Sequence, residues 1–114
     1  MPQLKLIKIA NLQPTQEKLN LAIVNHYSSE TYQWKLPEIW KNNNIYYIAD
    51  GHHRIFSKYF QNLNKEIKIP IKLYTKYNLK VSQQAYEYII DEILSNGEKM
   101  IKKRITHISH LKLI

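Results

Sequence analysis

Asp50-Gly51-His52-His53-Arg54 gathers a carboxylate, two imidazoles and a guanidinium into five consecutive positions. An arginine side chain presents a planar fork of N–H donors that matches phosphate oxygens two at a time. Imidazoles donate or accept protons near neutrality, and a carboxylate either holds a divalent cation or orients an imidazole. The residue types therefore nominate His52, His53 and Asp50 for proton transfer, and Gly51, His53 and Arg54 for contact with phosphate. Asp50 is the candidate ligand for Mg²⁺ or another divalent cation. A shared ion on His52 and His53 is not expected, because neighbouring helical residues diverge by roughly 100°.

Chemistry at this spot needs a frame. Ile45 to Ala49 is apolar at every position, as a strand covered on both faces would be. It runs directly into Asp50-Gly51. Ile55, Phe56, Tyr59, Phe60 and Leu63 then recur at helical spacing, predicting a helix from about His53 to Asn62. Strand, turn and helix without a spacer place the polar cluster at a helix N-terminus, where unpaired N–H groups and the positive dipole end favour anions.

The remaining elements follow from local pattern. Asn42-Asn43-Asn44 tolerates left-handed backbone, so Glu38–Lys41 and Ile45–Ala49 are expected as a hairpin. Lys5–Ala10 reads as a first strand. Thr15 stands where a helix N-cap would, ahead of a three-turn helix marked by Leu19, Ala22, Ile23 and His26. Tyr27 to Leu36 reads as a loop. Ile67–Tyr74 alternates as a strand, with Pro70 marking an edge or a strand start. A helical stripe on Val81, Tyr88 and Ile93 is expected to end at Asn96-Gly97, and a second helix to carry Ile101, Ile105 and Ile108 inward. The expectation is one α+β domain over residues 1–114, a small mixed sheet with packed helices and a C-terminal helical pair at about 81–110.

Charge narrows the partners. Seventeen Lys and Arg against nine Asp and Glu give a net +8, which favours nucleic acid or nucleotides over acidic proteins or bare membrane. The tail concentrates this charge in Lys99, Lys102, Lys103 and Arg104, a cationic face suited to a phosphate backbone. Heavy use of Lys, Ile, Asn and Tyr also reflects what an AT-rich genome produces, so part of the basic signal is compositional. The lack of Cys excludes sulfur nucleophiles and thiolate metal sites. No apolar window is long enough to span a bilayer, and Met1 to Ala10 lacks the form of a signal peptide, so a cytoplasmic protein is expected.

The segment IYYIADGHHRIF at Ile45 to Phe56, with IANLQPTQ at Ile9 to Gln16 and IKIPIKLY at Ile67 to Tyr74, resembles the ParB-like superfamily. That superfamily includes the N-terminal domain of chromosome-partitioning ParB proteins, sulfiredoxin and free-serine kinases. The resemblance covers about Lys5 to Thr75 and centres on a G-x-x-R motif matched by Gly51 and Arg54. It implies a nucleotide- or phosphate-binding fold, with CTP, ATP or ADP among the ligands. His52 stands where sulfiredoxin has its catalytic Cys, so that reduction is excluded. His52 and His53 also replace the Glu and first Arg of the GERR form common in ParB. Three functions follow as expectations. The first is a nucleic-acid-associated protein that binds nucleotide or DNA phosphate at Gly51 to Arg54, with nuclease-like phosphodiester hydrolysis. The others are a phosphotransferase of free-serine-kinase type and a non-catalytic DNA-binding module using the basic face.

Overall fold

A computed structural model describes residues 3–28, 34–62, 67–75 and 83–114. The chain begins with β1 (Gln3–Lys8), a 3₁₀ turn at Ile9–Asn11, and two short strands, β2 (Leu12–Gln13) and β3 (Lys18–Leu19). Helix α1 (Leu21–Tyr27) follows, then the hairpin β4 (Glu38–Asn42) and β5 (Ile45–Asp50). Helix α2 (His52–Gln61), β6 (Lys68–Tyr74), α3 (Gln83–Lys102), a 3₁₀ turn at Ile108–His110 and β7 (Lys112–Leu113) complete it. The described strands form a mixed sheet in the order β1-β6-β4-β5-β2 and a separate parallel pair β3-β7. The α+β class expected from the sequence is what the chain adopts.

The hairpin forms as the three asparagines predict. Asn43 and Asn44 both take positive φ, at 49° and 65°, the two left-handed positions of a primed two-residue turn whose twist matches that of the strands. Both faces of the sheet are covered. Ile39, Ile48, Ile55, Ile71 and Ile108 are fully buried in the larger cluster on the inner face, and each such side chain contributes about 1.5–3 kcal/mol by leaving water. On the outer face Trp40 and Ile90 pack with Ala49, Tyr74, Ile93 and Leu94.

Pro70 lies within an internal strand, not an edge, because β6 sits between β1 and β4. The strand tolerates it for a geometric reason. Lys72 N–H donates to Pro37 O at 2.9 Å, so the nitrogens of residues 70 and 72 both point toward β4. The β4 pairing starts only at Lys72, and the N–H that proline lacks has no partner to miss.

The C-terminal helical pair is replaced by one continuous helix. Helix α3 runs straight through Asn96-Gly97. A Cβ on Gly97 would lie 2.3 Å from Cε1 of Tyr47, so this glycine lets the helix settle onto the sheet and does not end it. The helix stops five residues later in a Schellman motif. Arg104 N–H donates to Ile101 O at 2.9 Å and Ile105 N–H to Met100 O at 2.8 Å, with Arg104 at φ 61°. Buried Met100 and Ile105 share the inner cluster, the apolar contact that accompanies such an end. Ile105 and Ile108 are inward as expected, though on the coil and 3₁₀ turn that follow, whereas Ile101 is exposed.

Other differences are of phase. Helix α1 has two turns, capped by Asn20, whose Oδ1 accepts from Ile23 N–H, and not by Thr15. It buries Val24, while Ile23 is exposed and Leu19 belongs to β3. On α2, Phe60 is exposed and Ser57 is buried. On α3 the buried face runs through Ile90, Gly97 and Met100 with Ile93 and Leu94 half-buried, leaving Tyr88 in solvent. Leu63, the start of a helix at Val81 and residues 29–33 of the expected loop lie outside the described residues.

Candidate functional site

The polar cluster sits where the sequence puts it, at the turn from β5 into α2. Gly51 is the N-cap residue with φ 109° and ψ 19°, a left-handed conformation that L side chains rarely adopt. Its Cα faces the protein and not an open approach: a Cβ there would lie 2.9 Å from Pro37 Cβ and 3.1 Å from an Arg54 terminal nitrogen. The first helical bond runs from Ile55 N–H to Gly51 O at 2.9 Å. The N–H groups of His52, His53 and Arg54 precede it and have no helical acceptor. Gly51 has no side chain with which to cap this end, and no acidic residue lies in its first turn.

The two imidazoles and the guanidinium are each held by a different neighbour. His52 is 4% exposed, and its Nε2 accepts from Thr15 N–H at 3.0 Å. A ring nitrogen that accepts carries no proton, so the neutral imidazole holds its hydrogen on Nδ1. Thr15 Oγ1 donates to Ile48 O at 2.6 Å and lies 3.4 Å from the same Nε2. Burial, with a smaller contribution from the His53 charge, lowers the pKa of His52 from 6.5 to about 3. It is therefore neutral throughout the physiological range. His53 Nε2 accepts from Asn20 N–H at 3.0 Å, and partial burial moves its pKa downward.

Arg54 is also 4% exposed. One terminal nitrogen donates to Lys35 O at 2.9 Å and the other to Asp50 Oδ2 at 3.0 Å, while the guanidinium lies 6.0 Å from the centre of the Tyr27 ring. Asp50 stays half in solvent, with a side chain 56% exposed. It is the only acid of the motif and is committed to Arg54. Among the described residues no three His, Asp or Glu side chains gather to hold a metal.

The two histidines and the arginine thus clamp the turn onto segments far away in sequence. His52 and His53 grip the strap between β2 and α1, and Arg54 grips the chain before β4. The end of β2 and the same strap hold the C-terminal tail. Gln13 Nε2 donates to Ile105 O at 2.9 Å, Lys103 Nζ donates to Glu17 Oε2 at 3.0 Å, and β3 pairs with β7. The Lys103 hydrogen bond and charge lower the pKa of Glu17. Lys99, Lys102, Lys103 and Arg104 are all exposed at the end of α3, the first two without an ion pair among the described residues. Sequence reasoning did not find Thr15, Asn20 and Lys35 as partners of the motif. Only Asn20 left a signal, an Asn directly before an apolar helical run.

No family model and no curated protein sequence matches the chain. Among solved structures it is similar to the crystal structure of protein Atu1540 from Agrobacterium tumefaciens, with a TM-score of 0.56 and 17% sequence identity. The match covers 79% of this chain and 47% of that one, so this chain spans about half the length of its structural neighbour. At that identity the likeness concerns the fold. Among the described residues no helix is long and apolar enough to cross a membrane.

Proposed function

We propose that this chain binds the phosphate groups of a nucleotide or nucleic acid at the N-terminus of α2, in the manner implied by its resemblance to ParB-like proteins. The observation that carries this reading is the uncapped first turn. Three backbone N–H groups have no helical acceptor, the dipole end is positive, and the guanidinium of Arg54 lies just behind it. An anion supplies the acceptors that a capping side chain would otherwise supply.

Binding, not bond cleavage, is what the side chains support. His52 has its Nε2 committed to Thr15 and a strongly suppressed proton affinity, so it serves as an anchor for the strap. His53 does the same at Asn20. Arg54 gives two bonds to the protein, which makes it a positioning residue whose charge adds to the field at the helix end. The tail cations extend the surface, because the strap connects both the motif and Lys103. A nucleic-acid backbone reaching from α2 to Lys99 and Lys102 would meet positive charge along its path.

The test is a two-dimensional amide NMR titration with pyrophosphate, CTP and ADP. The amide signals of His52, His53 and Arg54 are expected to move most, and in a saturable way. If those three stay fixed while the protein binds the ligand elsewhere, or if no ligand binds at about 10 mM, the reading fails.

A further inference from the structure

The outer face of the sheet carries a cleft that the phosphate site does not use. It lies between α3 and the strands β4 and β5, with an accessible volume of about 410 Å³. Its walls include Trp40, Glu38, Glu92, Thr15, Asn96 and Ile93. Such a volume is that of a small-molecule pocket and is far too large for a bare ion.

The charge of this cleft is opposite to that of the protein. The chain carries net +8, yet among the described residues no Lys or Arg lines the cleft and two carboxylates do. The helix above it is acidic too over its first four turns: from Gln83 to Gly97 the sequence has Glu87, Asp91 and Glu92 and no Lys or Arg. Lys72 stands beside Glu38 in the β-ladder without lining the cleft. Glu38 is oriented, since Tyr74 Oη donates to its Oε1 at 3.3 Å. The aromatic wall is rigid as well: Trp40 stacks on Tyr74 with ring centres 5.5 Å apart and planes 14° apart.

Two carboxylates accept charge-assisted N–H bonds, and an indole attracts a cation to its surface. An anion would meet Glu38 and Glu92, and a purely apolar ligand would strip water from both. We propose that this cleft binds a small organic cation bearing an ammonium group, held between Glu38 and Glu92 against Trp40. Its source is either a free amine or a lysine side chain presented by another protein. The proposal stands apart from the phosphate reading, since neither needs the other's ligand.

Calorimetric titration of the full chain at low salt with 1,5-diaminopentane, Nα-acetyl-lysine amide and, as the anion of matching length, glutarate tests it. Wild type is expected to bind at least one of the two amines with a Kd on the order of 0.1–1 mM and to ignore glutarate. Glu38→Gln and Glu92→Gln keep shape and hydrogen-bonding capacity but lose charge, and each is expected to weaken the amine by about tenfold or more. Thermal melts monitor their folding, and Glu92 is exposed, so at least that variant keeps the wild-type structure. Tighter binding of the lysine amide assigns the cleft to a protein side chain, and tighter binding of the diamine to a free amine. Absence of amine binding by wild type at about 10 mM, equal affinity in Glu92→Gln, or binding of glutarate as strong as that of the amines overturns the proposal.

Discussion

His52 makes the stability of this fold depend on pH, and the size of the effect follows from its surroundings. In the unfolded chain its imidazole titrates at about 6.5, and in the folded chain at about 3. Because the folded value is depressed, the unfolded state binds the proton first. The contribution of neutral His52 is therefore fully present above about pH 6.5 and is lost progressively as pH falls toward 3. Each pH unit in that window is worth about 1.4 kcal/mol, so near pH 4.5 the loss reaches roughly 2.5–3 kcal/mol. That is a large share of the roughly 5–15 kcal/mol that holds a domain together. The structural cause is concrete: a proton on Nε2 would face the Thr15 N–H it now accepts from, inside a buried site. Urea unfolding midpoints of wild type and His52→Gln, measured from about pH 7.5 to pH 4.5, check this, since glutamine can still accept from Thr15 but does not titrate. His53 and His107 also have lowered pKa values, both chiefly through burial, and the variant retains both, so subtracting the two profiles isolates His52. Parallel profiles would refute the reasoning.

Gly97→Ala, which in an exposed helix would stabilise by up to about 1 kcal/mol, is expected to destabilise here by roughly 1–3 kcal/mol, because its methyl group meets the buried Tyr47 ring; a higher urea midpoint for the variant contradicts this packing. Arg104→Gly relieves a left-handed arginine at the end of α3 and is expected to raise stability by about 0.5–1 kcal/mol, read as a higher melting temperature. If the tail contacts a nucleic-acid backbone, replacing Lys99, Lys102 and Arg104 by Ala lowers the slope of log affinity against log salt by about 2.7, or 0.9 for each lost phosphate contact, and unchanged slopes in fluorescence anisotropy dismiss that surface.

Arg54 shows how far a motif can be read without its environment. Its residue type and its place at a helix start point to phosphate, but in the fold it is buried and bonded to Lys35 O and Asp50. Removing it takes away a charged hydrogen-bonding group that holds the turn. Arg54→Ala is consequently a poor probe of ligand binding, whereas the backbone amide shifts of the first turn report it directly.

Features that depend on near neighbours were legible from the residues alone. Two asparagines that accept left-handed backbone made the hairpin, and an all-apolar run ending in Asp50-Gly51 made the strand, turn and helix that carry the site. In both cases the preference lies within a few residues of where it acts. Tertiary structure decided whatever depends on a distant partner. Gly97 continues a helix because Tyr47, fifty positions earlier, needs the room of its missing side chain. Pro70 sits inside a sheet because β4 begins only two residues further along. The histidines of the motif became neutral anchors because the fold carried the N–H groups of Thr15 and Asn20 to their ring nitrogens and excluded water from the first of them. Sequence states which protons and charges a side chain can hold, whereas burial and a hydrogen-bond partner from another part of the chain decide which of them it does hold.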